Sequence, residues 1–438
     1  MEESKMNDRV INDIKNLSTE LTHMQWYTQQ RLQKLQDNKL KALVAWHAKH
    51  GEWFRNRLIS ADCKPADIRR DNMTALPITS RQDVIAAKQR FFATEVPKGH
   101  GKPGEVQSSG STGEPVVVKC TDVVSLFFHA NNHMEVDWHR RDRKLRMAAV
   151  RAGKLPTAEH ANWGMPHAAL AETGPCLIVN NNTDVKEQAR LISEFGTEIL
   201  SCYPNVMDAL MTEWQATNTL PKLKHFKSIG ETASDAFKAR VREVMGIGVE
   251  DSYSSQELGT IANQCAADGL YHTMDYNLIV EVLDEKGNEV GEGETGRVVV
   301  TDLHNYASPL VRYDTGDWAV RGGACECGRG LLTLKKIQGR TRNLILRADG
   351  SRYWPMVGMY NFNELSFQIL RYQVIQTDAT TMEYHVLVEA NLTGLQRQEL
   401  KDIANRALGV EFDIVVKDHL TPWPAAPNGK HEEFICRV

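Results

Sequence analysis

The chain has 438 residues, with 52 Lys+Arg against 56 Asp+Glu and a formal net charge of -4. At roughly 100–200 residues per domain, that length predicts two to four domains, or one large domain with a smaller one. Hydrophobic residues at 42% and charged residues at 25% exclude a collagen-like, disordered or coiled-coil chain, and the near-balanced charge excludes a basic footprint for nucleic acid or an anionic membrane.

The opening MEESKMNDRVINDIK lacks the apolar core of a secretory signal, and apolar stretches such as residues 123–130 fall far short of the ~20 residues a membrane helix needs. A cytoplasmic protein is expected. In that reducing compartment a close pair such as Cys325 and Cys327 binds metal more often than it forms a disulfide.

Residues 5–50 read as helix, because Val10, Ile11, Ile14, Leu17, Leu21 and Met24 recur at spacings of three and four, and Leu32, Leu35, Leu40, Leu43 and Trp46 roughly continue the pattern. The heptads are irregular, which favours a helix packed on its own domain over a coiled-coil arm, although a homodimer stays open. In LPITSRQDV, Ser80 is placed to cap a helix, and residues 97–104 read as an exposed Gly/Pro/Lys loop. From about 116 to 300, β-rich runs alternate with helices at 184–195, 205–216 and 233–245, which predicts α/β layering with a partly parallel sheet. NLIVEVLD, a Gly-rich polar turn and RVVVTDL predict a β-hairpin over 277–302. The last hundred residues form their own unit: strands YQVIQTD and YHVLVEA, a helix at 394–408, then a strand at 411–417. The polar GRTRN predicts a boundary near 338–343.

Four segments carry chemistry. SSGSTGEP, residues 108–115, joins glycines that let the backbone approach closely to hydroxyls and successive N–H groups that can wrap phosphate oxygens. No GKS/T follows, so it is not a Walker loop, and by itself it also reads as a flexible polar turn. In DSYSSQELG, residues 251–259, Glu257 could hold magnesium against phosphates and Tyr253 could offer an aromatic face to a base; a plain surface loop reads the same way. In YDTGD, Asp317 could accept hydrogen bonds from a ribose diol. The tail WPAAPNGKHEEF presents Lys430, in isolation a solvated charge.

Taken together, SSGSTGEP, YSSQE, YDTGD, the pair Gly339–Arg340 and the terminal PNGK resemble, in order and spacing, the adenylate-forming superfamily of acyl-CoA synthetases and adenylation domains. The match is closest to its phenylacetate–CoA ligase-like branch, and LPITSRQDV resembles that branch's lead-in. The resemblance runs from about residue 75 to the C-terminus. It implies an α/β fold: a large multi-layered N-terminal domain over 1–338, with a helical lead-in at 1–60, holding ATP and a carboxylic acid, and a small α+β domain over 339–438, joined by a hinge and carrying Lys430.

By the same resemblance, Ser108, Ser109, Gly110, Ser111, Thr112 and Gly113 form the loop on the β- and γ-phosphates. Gly230 and Glu231 lie along adenine and the acyl pocket. Tyr253 and Ser254 flank the adenine, Glu257 holds Mg2+, Asp317 binds the ribose and Arg340 opens the hinge. Lys430 reaches the α-phosphate and the attacking carboxylate. The implied reaction is activation of an organic acid, aromatic in the branch, as acyl-AMP, with pyrophosphate leaving and transfer to coenzyme A. A carrier-protein phosphopantetheine or an amine would use the same first half-reaction, and a non-catalytic nucleotide-binding protein would keep the fold. This sequence departs from the pattern at Glu114 and Asp314, where the family has basic residues, at Ser254 for Gly, and at Arg342 and Asn343 for an Asp pair. The acyl-pocket segment 162–174 is unlike the branch's glycine-rich stretch, and the helix bearing His133 and His139 belongs to a region that contributes to that pocket.

A structural zinc site is a separate expectation. Cys265, His272, Cys325 and Cys327 offer three thiolates and an imidazole, a closed tetrahedral set with no position left for a catalytic water.

Overall fold

The computed structural model describes residues 8–107, 116–151, 155–340, 345–346, 352–353, 362–408, 412–421 and 434–438. The residues expected to form the phosphate loop, Ser108, Ser109, Gly110, Ser111, Thr112 and Gly113, together with Glu114, Arg342, Asn343 and Lys430, lie outside the described residues, and Arg340 is described in its backbone alone. By contact density the chain divides into two units, Met1–Gln338 and Gly339–Val438.

The continuous helix expected over 5–50 from the apolar spacing is two helices, α1 (Asp8–Met24) and α2 (Gln29–His50), and a third, α3 (Glu52–Ser60), follows. Thr28 explains the first break. Its hydroxyl accepts the Arg31 N–H at 3.4 Å and starts α2 afresh. The apolar stripe is spent within the chain: Leu21, Met24 and Leu32 enter the main core beside Phe127, Met134 and Trp138 of α5 (Asp122–Trp138). Further on, α4 (Arg81–Ala87) opens with the expected cap. The Ser80 hydroxyl accepts the Asp83 N–H at 3.1 Å and the Asp83 carboxylate accepts the Ser80 N–H at 2.8 Å.

A hairpin, β1 (Gly104–Gln107) and β2 (Val117–Cys120), precedes α5. The α/β alternation follows as β3 (Met147–Arg151), β4 (Ala158–His160), α6 (His167–Leu170), β5 (Cys176–Asn180), α7 (Val185–Glu194), β6 (Ile199–Cys202), α8 (Pro204–Thr217), β7 (His225–Ser228), α9 (Asp235–Met245) and β8 (Val249–Ser255). Then come β9 (Gly259–Gln264), β10 (Tyr271–Thr273), β11 (Leu278–Leu283), β12 (Thr295–Asp302), β13 (Tyr313–Arg321) and β14 (Thr333–Arg340). Twelve of these strands make one sheet in the order β11-β12-β13-β14-β10-β9-β8-β7-β6-β3-β5-β4. Its β5-β3-β6-β7-β8 part is parallel. β8 is the junction, parallel to β7 through Asp251 and antiparallel to β9 from Ser252 onward. The expected hairpin over 277–302 is β11 and β12, paired from Leu278↔Asp302 to Leu283↔Arg297.

Alternation along the strands sorts side chains to two faces. Ala148, Val150, Leu200, Cys202 and Phe226 pack with Ile192, Met207, Leu210 and Trp214 of α7 and α8. Cys176 and Ile199 face Val136 of α5 and Trp163. Among the described residues no helix is long and apolar enough to cross a membrane.

The second unit holds β15 (Ile345–Leu346), β16 (Arg352–Tyr353), β17 (Arg371–Gln376), β18 (Thr381–Leu387), α10 (Gly394–Leu408), β19 (Asp413–His419) and β20 (Phe434–Cys436). Its four-stranded sheet, β19-β18-β17-β20, buries Val374, Met382, Tyr384 and Ile414 against Leu400 and Ala404 of α10.

One buried carboxyl gives a stability test. Asp302 is 2% exposed and accepts the His304 N–H at 2.9 Å, and burial pushes its pKa up to about 7. A carboxyl raised above its unfolded value contributes stability that is full below that value and is lost as pH rises through 7. Asp302→Asn, which keeps an acceptor and carries no charge, is expected to raise Tm at pH 8 by a few degrees, on the order of 2 kcal/mol. The gain should shrink at pH 5, as followed by calorimetry at the two pH values.

Candidate active site

Two of the motifs, YSSQE and YDTGD, meet at the junction strand. β8 ends the parallel part of the sheet, and its side chains alternate so that Tyr253 is buried and Ser254 exposed. The Tyr253 hydroxyl donates to Asp317 Oδ2 at 2.7 Å and lies 3.2 Å from Thr315 Oγ1. Asp317 sits on β13, 64 residues further along the chain, so this contact joins the YSSQE and YDTGD segments in space. Gly316, at φ +75°, lets β13 kink there, and the Asp317 N–H donates to Thr315 Oγ1 at 3.1 Å.

Glu257 is 7% exposed, and its Oε1 lies 3.9 Å from Arg81 Nη1 of α4. The lead-in LPITSRQD sets that distance: the Thr79 N–H donates to Arg312 O at 2.8 Å and the Asp314 N–H to Thr79 O at 2.9 Å, tying residue 79 to the start of β13. Arg312 is itself fixed, with Nε 3.1 Å from Glu281 Oε2 and Nη1 donating to Leu76 O at 2.6 Å. Asp314, one of the departures from the family pattern, pairs with Arg297 at 3.3 Å, so its charge is balanced within the sheet.

Past β7 the chain turns sharply at Gly230 (φ +72°), and Glu231 Oε2 accepts the Asn205 N–H at 3.2 Å in the first turn of α8, where the helix dipole favours an anion. Gly230, Glu231, Tyr253, Ser254, Glu257 and Asp317 thus lie on or beside β7, β8 and β13 of one unit. Arg81, Thr79 and Arg297 were not singled out from the sequence. For Thr79 and Arg81 the signal was the lead-in motif itself, whose partner elements lie more than 170 residues away; Arg297 lies on β12 and pairs with Asp314 on the neighbouring strand.

The four candidate zinc ligands also meet. Cys265, His272, Cys325 and Cys327 present atoms all within 4.8 Å of one another. The Cys325 and Cys327 sulfurs are 3.2 Å apart without a bond, and Cys327 Sγ is 3.2 Å from His272 Nε2. Three thiolates around a divalent ion leave a site anionic, and Arg329 answers that charge. Its Nη1 donates to Cys265 Sγ at 3.6 Å while its guanidinium lies over Trp138 at 4.3 Å and Trp26 at 5.0 Å. The donor set therefore fits zinc.

The family model for AMP-binding enzymes matches residues 107–305. Among curated relatives, the phenylacetate-coenzyme A ligase of Thermus thermophilus is 26% identical over 334 residues, 72% of each chain, and that of Escherichia coli is 24% identical over 354 residues, 75% of this chain and 76% of the relative. The chain is similar to AMP-binding enzymes over residues 107–305 and to phenylacetate-coenzyme A ligases along about three quarters of its length. Among solved structures, 2-hydroxyisobutyryl-CoA ligase in the postadenylation state with R3-HIB-AMP matches with a TM-score of 0.74 at 17% identity, over 94% of this chain and 90% of that one. An open form of that ligase with 2-HIB-AMP and CoA matches at 0.59 over 91% and 90%. Both are mixed α/β neighbours of this fold. The stretch matched to the family model takes in residues 108–113, β8 and Glu257 but ends before β13, and the Tyr253–Asp317 contact joins Asp317 to that stretch.

Proposed function

We propose that this protein is an ATP-dependent acid–CoA ligase that activates an organic carboxylic acid as acyl-AMP. What supports this is the Tyr253–Asp317 contact, which joins two of the motifs, together with buried Glu257 two residues past the end of β8. Names of the relatives support coenzyme A as the acceptor, and the branch supports an aromatic acid.

In the first half-reaction a carboxylate oxygen attacks the α-phosphorus and pyrophosphate leaves. In the second, a thiolate attacks the carbonyl carbon and AMP leaves with that oxygen. Glu257 would hold magnesium, which supplies positive charge beside the phosphates. Asp317 would accept the ribose hydroxyls, Tyr253 and Ser254 would flank the base, and Ser108–Gly113 would wrap the distal phosphates with backbone N–H groups and hydroxyls. Lys430, on a long stem, would bring an ammonium to the carboxylate as it meets the α-phosphate, where negative charges would otherwise repel.

Acid-dependent pyrophosphate release across a panel of aryl and small polar acids, with CoA present and absent, tests this. Release that requires an acid, with thioester formed when CoA is added, is expected. ATP binding with no release for any acid would instead mean a nucleotide-binding protein without turnover.

The Cys265–His272–Cys325–Cys327 set would hold a structural zinc, closing the turn at 323–330 against β9 and β10. One zinc per chain by plasma emission, lost in Cys325→Ser together with several degrees of Tm, is the expected result. Full metal-free stability of the purified protein would contradict it.

A further inference from the structure

The layer between the sheet and α5 is charged, and among the described residues its cations outnumber its carboxylates. Glu135 of α5 is 1% exposed and takes the Arg141 guanidinium through both oxygens, at 2.6 and 2.5 Å, and Lys227 Nζ at 2.8 Å. Glu250 of β8 takes Arg141 Nε at 2.5 Å and lies 2.6 Å from His225 Nδ1. Both carboxylates are thus engaged by two cations. Arg151 is a third.

Arg151 is the last residue of β3. Ala148 and Val150 face α7 and α8, so alternation turns Arg151 to the α5 face with Lys227. Its guanidinium donates to Val150 O and Ser201 O, both at 3.0 Å, and to Ser201 Oγ at 3.2 Å, all neutral acceptors. Among the described residues no carboxylate pairs with it. Burial works against its charge, and Arg151 in turn depresses the Lys227 ammonium, so the two cations repel. A half-buried guanidinium held only by neutral acceptors keeps its charge available to an anion.

The location is where a ligand would come. Arg151 stands at the carboxyl end of β3, Tyr203 just past β6 and Gly230–Glu231 just past β7, at the mouths of three neighbouring parallel strands, the usual ligand crevice of such sheets. On the same side, the His133 and His167 rings lie 6.2 Å apart, each with a buried Nδ1 lacking a partner, and His167 is 5.9 Å from Trp163 in the segment expected to line the acyl pocket.

We propose that the acid activated by this protein carries a second anionic oxygen group, and that Arg151 receives it. The inference rests on the ligase reading above and adds the substrate class. A second carboxylate carries the charge that a guanidinium recognises, and a neutral phenolic hydroxyl is the uncharged comparison.

The test compares matched acids: phenylacetate, 4-carboxyphenylacetate and 4-hydroxyphenylacetate, and butyrate against succinate, in the parent, Arg151→Met and Arg151→Lys. The parent is expected to favour the second anionic group at least about 10-fold in kcat/KM, as a charged hydrogen bond allows. In Arg151→Met that preference should collapse toward one through KM, and Arg151→Lys should restore part of it. The hydroxyl arm, uncharged because a phenol titrates near ~10, separates recognition of charge from recognition of an added oxygen: it should behave like phenylacetate. Equal use of monoacids by the parent, or an equal loss for both classes in Arg151→Met, would overturn the proposal. Thermal stabilisation by 4-carboxyphenylacetate without ATP separates the two failures: a shift in the parent that Arg151→Met loses, with no pyrophosphate release, would sink the ligase reading and leave the Arg151 site standing.

Discussion

Lys430→Ala should lower acid-dependent pyrophosphate release by about 100- to 1,000-fold, the loss seen when one preorganised charge is removed from a transition state. The Kd for ATP, read by equilibrium dialysis, should change little. The reasoning is electrostatic. A carboxylate approaching a triphosphate gains most from a cation that arrives where charge builds, and an alanine there removes attraction from the transition state more than from the bound nucleotide. Lys430→Arg should rescue poorly, because a planar fork does not replace a compact ammonium. If Lys430→Ala retained release within about tenfold of the parent, the assignment taken from PNGK would be wrong.

Glu135→Ala is expected to have the largest effect on stability. Burial alone would raise the Glu135 carboxyl, yet Arg141 and Lys227 hold it well below the usual carboxylate range. Its removal strands two desolvated cations, and breaking a buried pair from one side costs about 3–5 kcal/mol. Urea unfolding should therefore show a midpoint well below that of the parent, with an additional loss at acidic pH where His139 charges beside the same cations. The exposed Arg190–Glu187 pair, at 2.6 Å, is the control: Glu187→Ala should leave the midpoint where it is, since water already solvates both groups. Equal effects from the two substitutions would mean that the α5 layer is far wetter than its geometry indicates.

Much of the fold was legible in the chain because local chemistry and tertiary context agree. The alternation from 116 to 300, the hairpin at β11–β12, the Ser80 cap and the β17–β18–α10–β19 order all follow from periodicity and turn residues, and the structure has each of them. The N-terminal helix was read as one because its apolar spacing runs across residues 25–28. A single threonine cap breaks it there, a local hydrogen bond that periodicity does not register.

The candidate site was legible only as motifs. Nothing between Tyr253 and Asp317 announces that they touch, since the bond depends on β8 and β13 being brought together within a twelve-stranded sheet. The partners of Glu257 and Asp314 were missed because Arg81 and Arg297 are ordinary surface-type residues in the sequence: the docking of residue 79 on β13 gives Arg81 its role, and the β12–β13 pairing gives Arg297 its own. The zinc set was legible from its donors, because three thiols and an imidazole are chemically specific even when some fifty residues separate the halves. Arg151 gave no signal at all. A lone arginine after MAAV becomes notable only when the sheet turns it inward and leaves it without an acid.

The most direct measurement follows one oxygen atom. With a substrate acid labelled with 18O in its carboxylate, plus ATP, Mg2+ and CoA, the AMP released should carry a single label and the pyrophosphate none, because thiolysis of an acyl-AMP breaks the carbon–oxygen bond and leaves the acid's oxygen on phosphorus. Unlabelled AMP, or label appearing in inorganic phosphate with ADP as the nucleotide product, would contradict adenylation at this site.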